Sequence, residues 1–114
     1  MNQPALTLEQ AQAVAASKAA PKITKESIEA RINSTTYNQM DHLTVCVIEM
    51  VNGFFVVGTA APASKANFDP EVGKRYAYED AFKKLWQLEG YLLREKLWEE
   101  SKPKPVDTAP TPAP

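Results

Sequence analysis

The chemistry open to this chain is narrow. It has one histidine, His42, and one cysteine, Cys46. They stand four residues apart at the start of a β-rich run, where alternation puts both on one nominal face. Asp41 precedes the histidine, and a Cys–His nucleophile pair is the one arrangement of this kind the residues allow. The plainer reading is an exposed loop histidine and a buried core cysteine, because free Cys is among the most buried side chains. One His and one Cys cannot assemble a metal site without carboxylates at ligand spacing, and no such spacing shows. No Gly-rich phosphate loop is present either. The expectation is a protein that binds and does not catalyse, with no catalytic residue, no metal and no cofactor.

A second cluster has binding chemistry. The segment Lys65 to Tyr78 holds Asn67, Phe68, Lys74, Arg75, Tyr76 and Tyr78 around a helix start at Asp69-Pro70-Glu71. Aromatic rings can stack on a base, Arg can grip phosphate with two parallel hydrogen bonds, and a helix N-terminus suits anions. This is the composition of a nucleotide pocket. An ordinary capped helix, with Phe68 as a hydrophobic staple and the cations solvated, would also produce it. Arg94 and Lys96 lie further on, where Glu95 and Glu99 can pair with them along a helix.

The rest of the chain must position these residues. Its 114 residues allow one domain, and a domain this small buries only about 60% of its unfolded surface, so self-association is expected. Thirteen basic against 14 acidic residues give a net charge of -1, without the excess of Lys and Arg that a long nucleic acid requires. No apolar run reaches membrane length and the first residues lack signal-peptide character, so a cytoplasm is the expected compartment and no membrane is a partner.

Residues 1–22 are rich in Ala and Gln and read as a marginal helix capped by Thr7, or as a disordered extension. A helix is expected over about Lys25 to Asn33, capped by Thr24, with Ile23, Ile28 and Ile32 as its stripe. Ser27 stands where a capping box wants Glu or Gln, which leaves the box incomplete. Leu43–Val51, Asn52-Gly53 and Phe54–Thr59 read as a hairpin with a two-residue turn whose two residues need positive φ. That register sets Met50 opposite Phe55, Ile48 opposite Val57 and Cys46 opposite Thr59. Phe55 and Val57 then share a face with Cys46, Ile48 and Met50. Both faces are largely apolar, so helices cover one while the other meets a second subunit or walls a pocket. A long helical pattern runs from Asp69 to about Trp98, and Gly90 within it suggests a break near Gln87–Gly90 or a bend for close packing. Residues 101–114 form a Pro-rich, disordered tail. The fold class is α+β: a small antiparallel sheet with its central Asn-Gly hairpin, packed against one N-terminal helix and a long C-terminal helical segment, with residues 23–100 as the ligand-binding domain.

Several stretches resemble a known family. They are Thr24–Ile32, Asn52-Gly53-Phe54-Phe55-Val56-Val57-Gly58, Ala66-Asn67-Phe68-Asp69, Gly73–Glu79 and Lys84–Arg94. Together they are similar to a small bacteriophage protein family named after genes of phages N4 and Sf6, over about residues 23 to 98. Gln87 stands where the family has proline, so a helix break there is less supported. The resemblance extends to the phage anti-Thoeris sponges, which hold a cyclic ADP-ribose isomer made by bacterial defence without cleaving it. Some relatives also hold cyclic oligonucleotides of the CBASS defence. The resemblance implies an antiparallel sheet cradling helices, a homodimer or a hexamer built from dimers, and pockets at subunit contacts. It implies that Phe55 or Phe68 stacks on adenine, that Asn67 hydrogen-bonds ribose or base, and that Arg75 or Arg94 pairs with phosphate, with Tyr78 completing the ligand-binding set. The implied setting is the cytoplasm of an infected bacterium. The competing expectation is a protein-interaction module that caps a host protein with its hairpin face, alone or with the Pro-rich tail.

Overall fold

A computed structural model describes residues 5–103. The elements run α1 (Leu8–Ala16), α2 (Lys25–Glu29), β1 (Ile32–Met40), β2 (Leu43–Met50), β3 (Phe55–Ala60), a single 3-10 turn at Lys65–Asn67, and α3 (Pro70–Ser101). The three strands form an antiparallel meander in the order β1-β2-β3. The α3 helix lies across β2 and β3, which makes the fold α+β as expected. The Pro-rich tail expected over residues 101–114 lies almost wholly outside the described residues.

Local chemistry explains the helix starts. Thr7 and Gln10 form a complete capping box on α1, yet no residue of α1 is buried. Thr24 caps α2, and Ser27 does close that box: its hydroxyl oxygen accepts from the Thr24 N–H at 2.9 Å while the Thr24 hydroxyl accepts from the Ser27 N–H at 3.0 Å. The helix expected to reach Asn33 stops at Glu29, and Ile32 begins a strand instead. That strand, β1, has no exposed–buried alternation. Its stabilisation comes from main-chain pairing with β2, from Ile32 opposite Met50 to Met40 opposite Leu43, with a bulge between Ile32 and Ser34. Asp41, at φ 55°, makes the tight turn into β2.

The Asn-Gly hairpin forms, but one residue out of the expected register. Glu49 faces Phe55, Ile48 faces Val56 and Cys46 faces Gly58. The loop holds three residues because the Met50 N–H donates to the Phe54 carbonyl and the Gly53 N–H to that of Met50, both at 2.8 Å. Only Gly53 takes a positive φ, 89°, as in a turn closed by a bulge. A slip of one residue reverses every side chain. Val56 therefore joins Cys46, Ile48 and Met50 in the core, and Phe55 and Val57 point outward.

The core is Ile28, Cys46, Ile48, Met50, Val56, Ala77, Ala81, Phe82 and Leu85, with Ile23, Ile32, Ala60 and Tyr78 packed against it. Small residues set how near α3 comes to the sheet. A Cβ on Gly58 would stand 2.2 Å from both the Ala77 carbonyl oxygen and the Ala81 nitrogen. No break or close contact occurs at Gly90, where a Cβ would meet nothing within 4 Å, and α3 is one unbroken helix of 32 residues.

Candidate functional site

The first turn of α3 builds a cleft. The chain leaving β3 at Ala60, Ala61 and Pro62 forms one wall, and Asn67, Phe68, Val72 and Tyr76 form the other. Its volume is about 310 Å³, at the lower end for small-ligand pockets. Phe68 precedes the N-cap and packs over Gly73, where a Cβ would lie 3.5 Å from the ring. Tyr76 is 64% exposed on the rim. The lining is thus aromatic and apolar, with the Asn67 amide as its neutral polar group.

The helix end in this cleft differs from the expectation of free N–H groups awaiting phosphate. The Asp69 carboxylate accepts from the N–H groups of Glu71 and Val72, at 2.9 and 3.0 Å. It satisfies those donors and places a negative charge at the helix end. Among the described residues no cation lines the cleft.

The six residues expected to bind ligand fall into four places. Asn67 and Phe68 share the cleft just described. Arg75 pairs with Glu79 along the helix, and its guanidinium lies 5.9 Å from the Tyr78 ring. Tyr78 packs on Phe82 at 5.6 Å between ring centroids, and burial pushes its hydroxyl pKa up. Phe55 lies on a separate open shelf with Val57, Lys84 and Leu88, where the Lys84 ammonium donates to the Val57 carbonyl. Arg94 is exposed on the second half of α3, about 28 Å along the axis from Arg75 at 1.5 Å per residue. One chain therefore brings together Asn67 with Phe68 and Arg75 with Tyr78, and does not gather the six into one pocket.

The His42–Cys46 arrangement is also placed. His42 Nδ1 lies 3.2 Å from Asp41, whose other oxygen lies 2.7 Å from the Lys65 ammonium. Lys65, then His42, hold the Asp41 carboxyl below its usual range. Cys46 is fully buried, and burial pushes its thiol up, away from the thiolate that a nucleophile requires. Among the described residues no group of three or more His, Cys, Asp or Glu could hold a metal ion. No helix among them is long and apolar enough to cross a membrane.

A second, differently built cleft was missed by sequence reasoning. Lys22, Arg31, Glu89 and Lys96 line it, between the chain around α2 and the second half of α3. Arg31 Nε lies 2.9 Å from Glu89 Oε1. The sequence did carry a signal for it. Glu89 continues the stripe Ala77, Ala81, Leu85 at steps of four, so it must fall on the buried face and needs a cation there.

The chain is thus a small two-layer α+β protein with a cleft at the start of its long helix. Residues 23–97 match the phage protein (N4 Gp49/phage Sf6 gene 66) family, and the chain belongs to it. No curated protein and no solved structure matches the chain.

Proposed function

We propose that this phage protein binds and sequesters a cyclic nucleotide immune signal without cleaving it. The signal is a cyclic ADP-ribose isomer of the Thoeris type, and the binding extends to the cyclic oligonucleotides of CBASS. The observation that carries the reading is the cleft at the start of α3, where the Phe68 and Tyr76 rings and the Asn67 amide line one apolar space. Rings supply stacking surface and the amide supplies both a donor and an acceptor for a base or ribose. Membership of the phage family agrees with this reading. The working compartment is the cytoplasm of the infected bacterium. The working unit is a homodimer or a hexamer of dimers, in which Arg75 or Arg94 of one copy can serve the cleft of another. The mechanism is affinity without turnover: enough sites, each tighter than the host effector, remove the signal.

Mixing the purified protein with a panel of cyclic ADP-ribose isomers and cyclic oligonucleotides, filtering, and then heating the retained protein tests the reading. A nucleotide that disappears from the filtrate and returns intact on heating supports it, and Phe68→Ala should abolish the retention. A nucleotide that returns altered indicates an enzyme. If every nucleotide stays free, the protein-interaction reading takes its place. That second reading has its own observation: Phe54 and Phe55 are 54% and 56% exposed on the hairpin, beside Leu88.

A further inference from the structure

The cleft around Arg31 has more positive charge than its one buried carboxylate uses. Glu89 is only 9% exposed, and a carboxylate so placed is tolerated only when a cation meets it. Arg31 meets it through Nε at 2.9 Å. That nitrogen is buried, and among the described residues no acceptor is aligned to take a hydrogen bond from its N–H. The contact is therefore one of charge, and it holds the guanidinium by one nitrogen. The Arg31 side chain nonetheless keeps 36% of its exposure and lines a cleft of about 210 Å³.

The neighbouring groups decide what this cleft can take. Lys22 is already engaged, donating to the carbonyls of Ala15 at 2.7 Å and Lys18 at 3.2 Å. The Ser27 hydroxyl is used in the α2 cap. Lys96 has no carboxylate within ion-pair distance among the described residues. Three cations and one carboxylate thus line the cleft, Glu89 is met by Arg31 alone, and Arg31 and Lys96 keep donors for something else. Ile23, Leu92 and Leu93 supply apolar walls. A guanidinium and an ammonium over such walls match a doubly charged oxyanion carried on a small body.

We propose that this cleft is an oxyanion site for the phosphate group of a small ligand, gripped by Arg31 and Lys96, with Glu89 as the residue that positions Arg31. It is separate from the aromatic cleft and does not depend on the sponge reading.

Titration calorimetry of the full chain with inorganic pyrophosphate at low ionic strength tests this. Saturable binding is expected, weakened about tenfold or more in Lys96→Ala. Arg31→Gln alone would strand a buried Glu89, so the informative variant is Arg31→Gln with Glu89→Gln, which removes both charges and should lose pyrophosphate while remaining folded. Nitrogen-resolved NMR gives a readout specific to positioning: the Arg31 Nε–H resonance should shift on adding pyrophosphate and broaden in Glu89→Gln. Phe68→Ala should bind pyrophosphate like the parent, so the site stands even if no cyclic nucleotide is retained. The proposal is overturned if the parent takes up no pyrophosphate, if both charge variants bind it unchanged, or if the Arg31 resonance does not move.

Discussion

The two halves of α3 do different work. From Pro70 to Glu89 the helix lies on the sheet and carries all of its buried residues, Gly73, Ala77, Ala81, Phe82, Leu85 and Glu89. From Gly90 to Ser101 none is buried, although Tyr91, Leu92 and Trp98 are large and apolar. Geometry accounts for the contrast. A 32-residue helix is about 48 Å long, whereas β2, with eight residues, spans about 27 Å. The helix overruns the sheet, and its last turns have no strand beneath them. The clefts differ as well: the one at the first turn is aromatic with no cation among its described lining residues, and one along the second half is lined by Lys22, Arg31 and Lys96. Stability is concentrated where α3 touches the sheet, and the clefts proposed to bind ligands lie toward either end of that contact.

The largest blow to the packed half should come from Gly58→Ala. Its new methyl would stand 2.2 Å from main-chain atoms of Ala77 and Ala81, which cannot swing aside as a side chain can. A loss of about 3 kcal/mol or more is expected, read as a collapse of the urea midpoint. Leu85→Ala removes a fully buried side chain from the same contact and should cost about 2–5 kcal/mol. Asp69→Ala unties the N-cap over two N–H groups and should cost about 1 kcal/mol. It also removes the negative charge from the aromatic cleft, so anion binding there should strengthen as folding weakens.

The packed half was the more legible in the sequence. Asp69-Pro70-Glu71 announced the start of α3, and the spacing of its apolar residues announced its length. The Asn-Gly turn announced the hairpin but not its register, since only the third loop residue takes the positive φ that both turn residues were expected to need. That slip moved Phe55 off the face it was expected to share with Cys46, Ile48 and Met50 and onto the open side of the sheet, so one residue of register decides where a candidate site residue stands. The β1 strand was unreadable by periodicity because Ser34, Thr36, Asn38 and Gln39 are held by pairing and not by burial. Asn67 and Phe68 were found from residue type around a helix start. The Arg31–Glu89 pair joins residues far apart in the chain, and only the stripe through Glu89 hinted at it.

A smaller effect tests how the sheet edge is tied to the packed half. The Asp80 carboxylate accepts from the Thr59 N–H at 2.9 Å, and Lys83 lies 3.4 Å away. That hydrogen bond first, and the lysine second, hold the Asp80 carboxyl below its usual range. A carboxyl whose folded pKa is depressed adds stability above its unfolded pKa and loses it as pH falls through the folded value. The contribution is therefore present at neutral pH and disappears below about pH 4. Asp80→Asn should lower the thermal midpoint slightly at pH 7, leave it unchanged at pH 2, and flatten the difference between the two.

The smallest expected effect bears most directly on the comparison. Trp98 is 48% exposed, and the Lys102 ammonium sits 3.7 Å from its ring centroid. An exposed cation–π contact of this kind contributes at most about 1 kcal/mol. In a lone chain Trp98→Ala should therefore change stability by no more than about 1 kcal/mol. Repeating the unfolding at rising protein concentration sharpens the result. A cost that grows with concentration would mean that the overhanging turns are covered by a second copy, because an interface stabilises by mass action. A cost that stays near zero at every concentration would mean that self-association, where it occurs, uses another face. The exposed Phe55 and Val57 on the outer side of the sheet would then be the next residues to change.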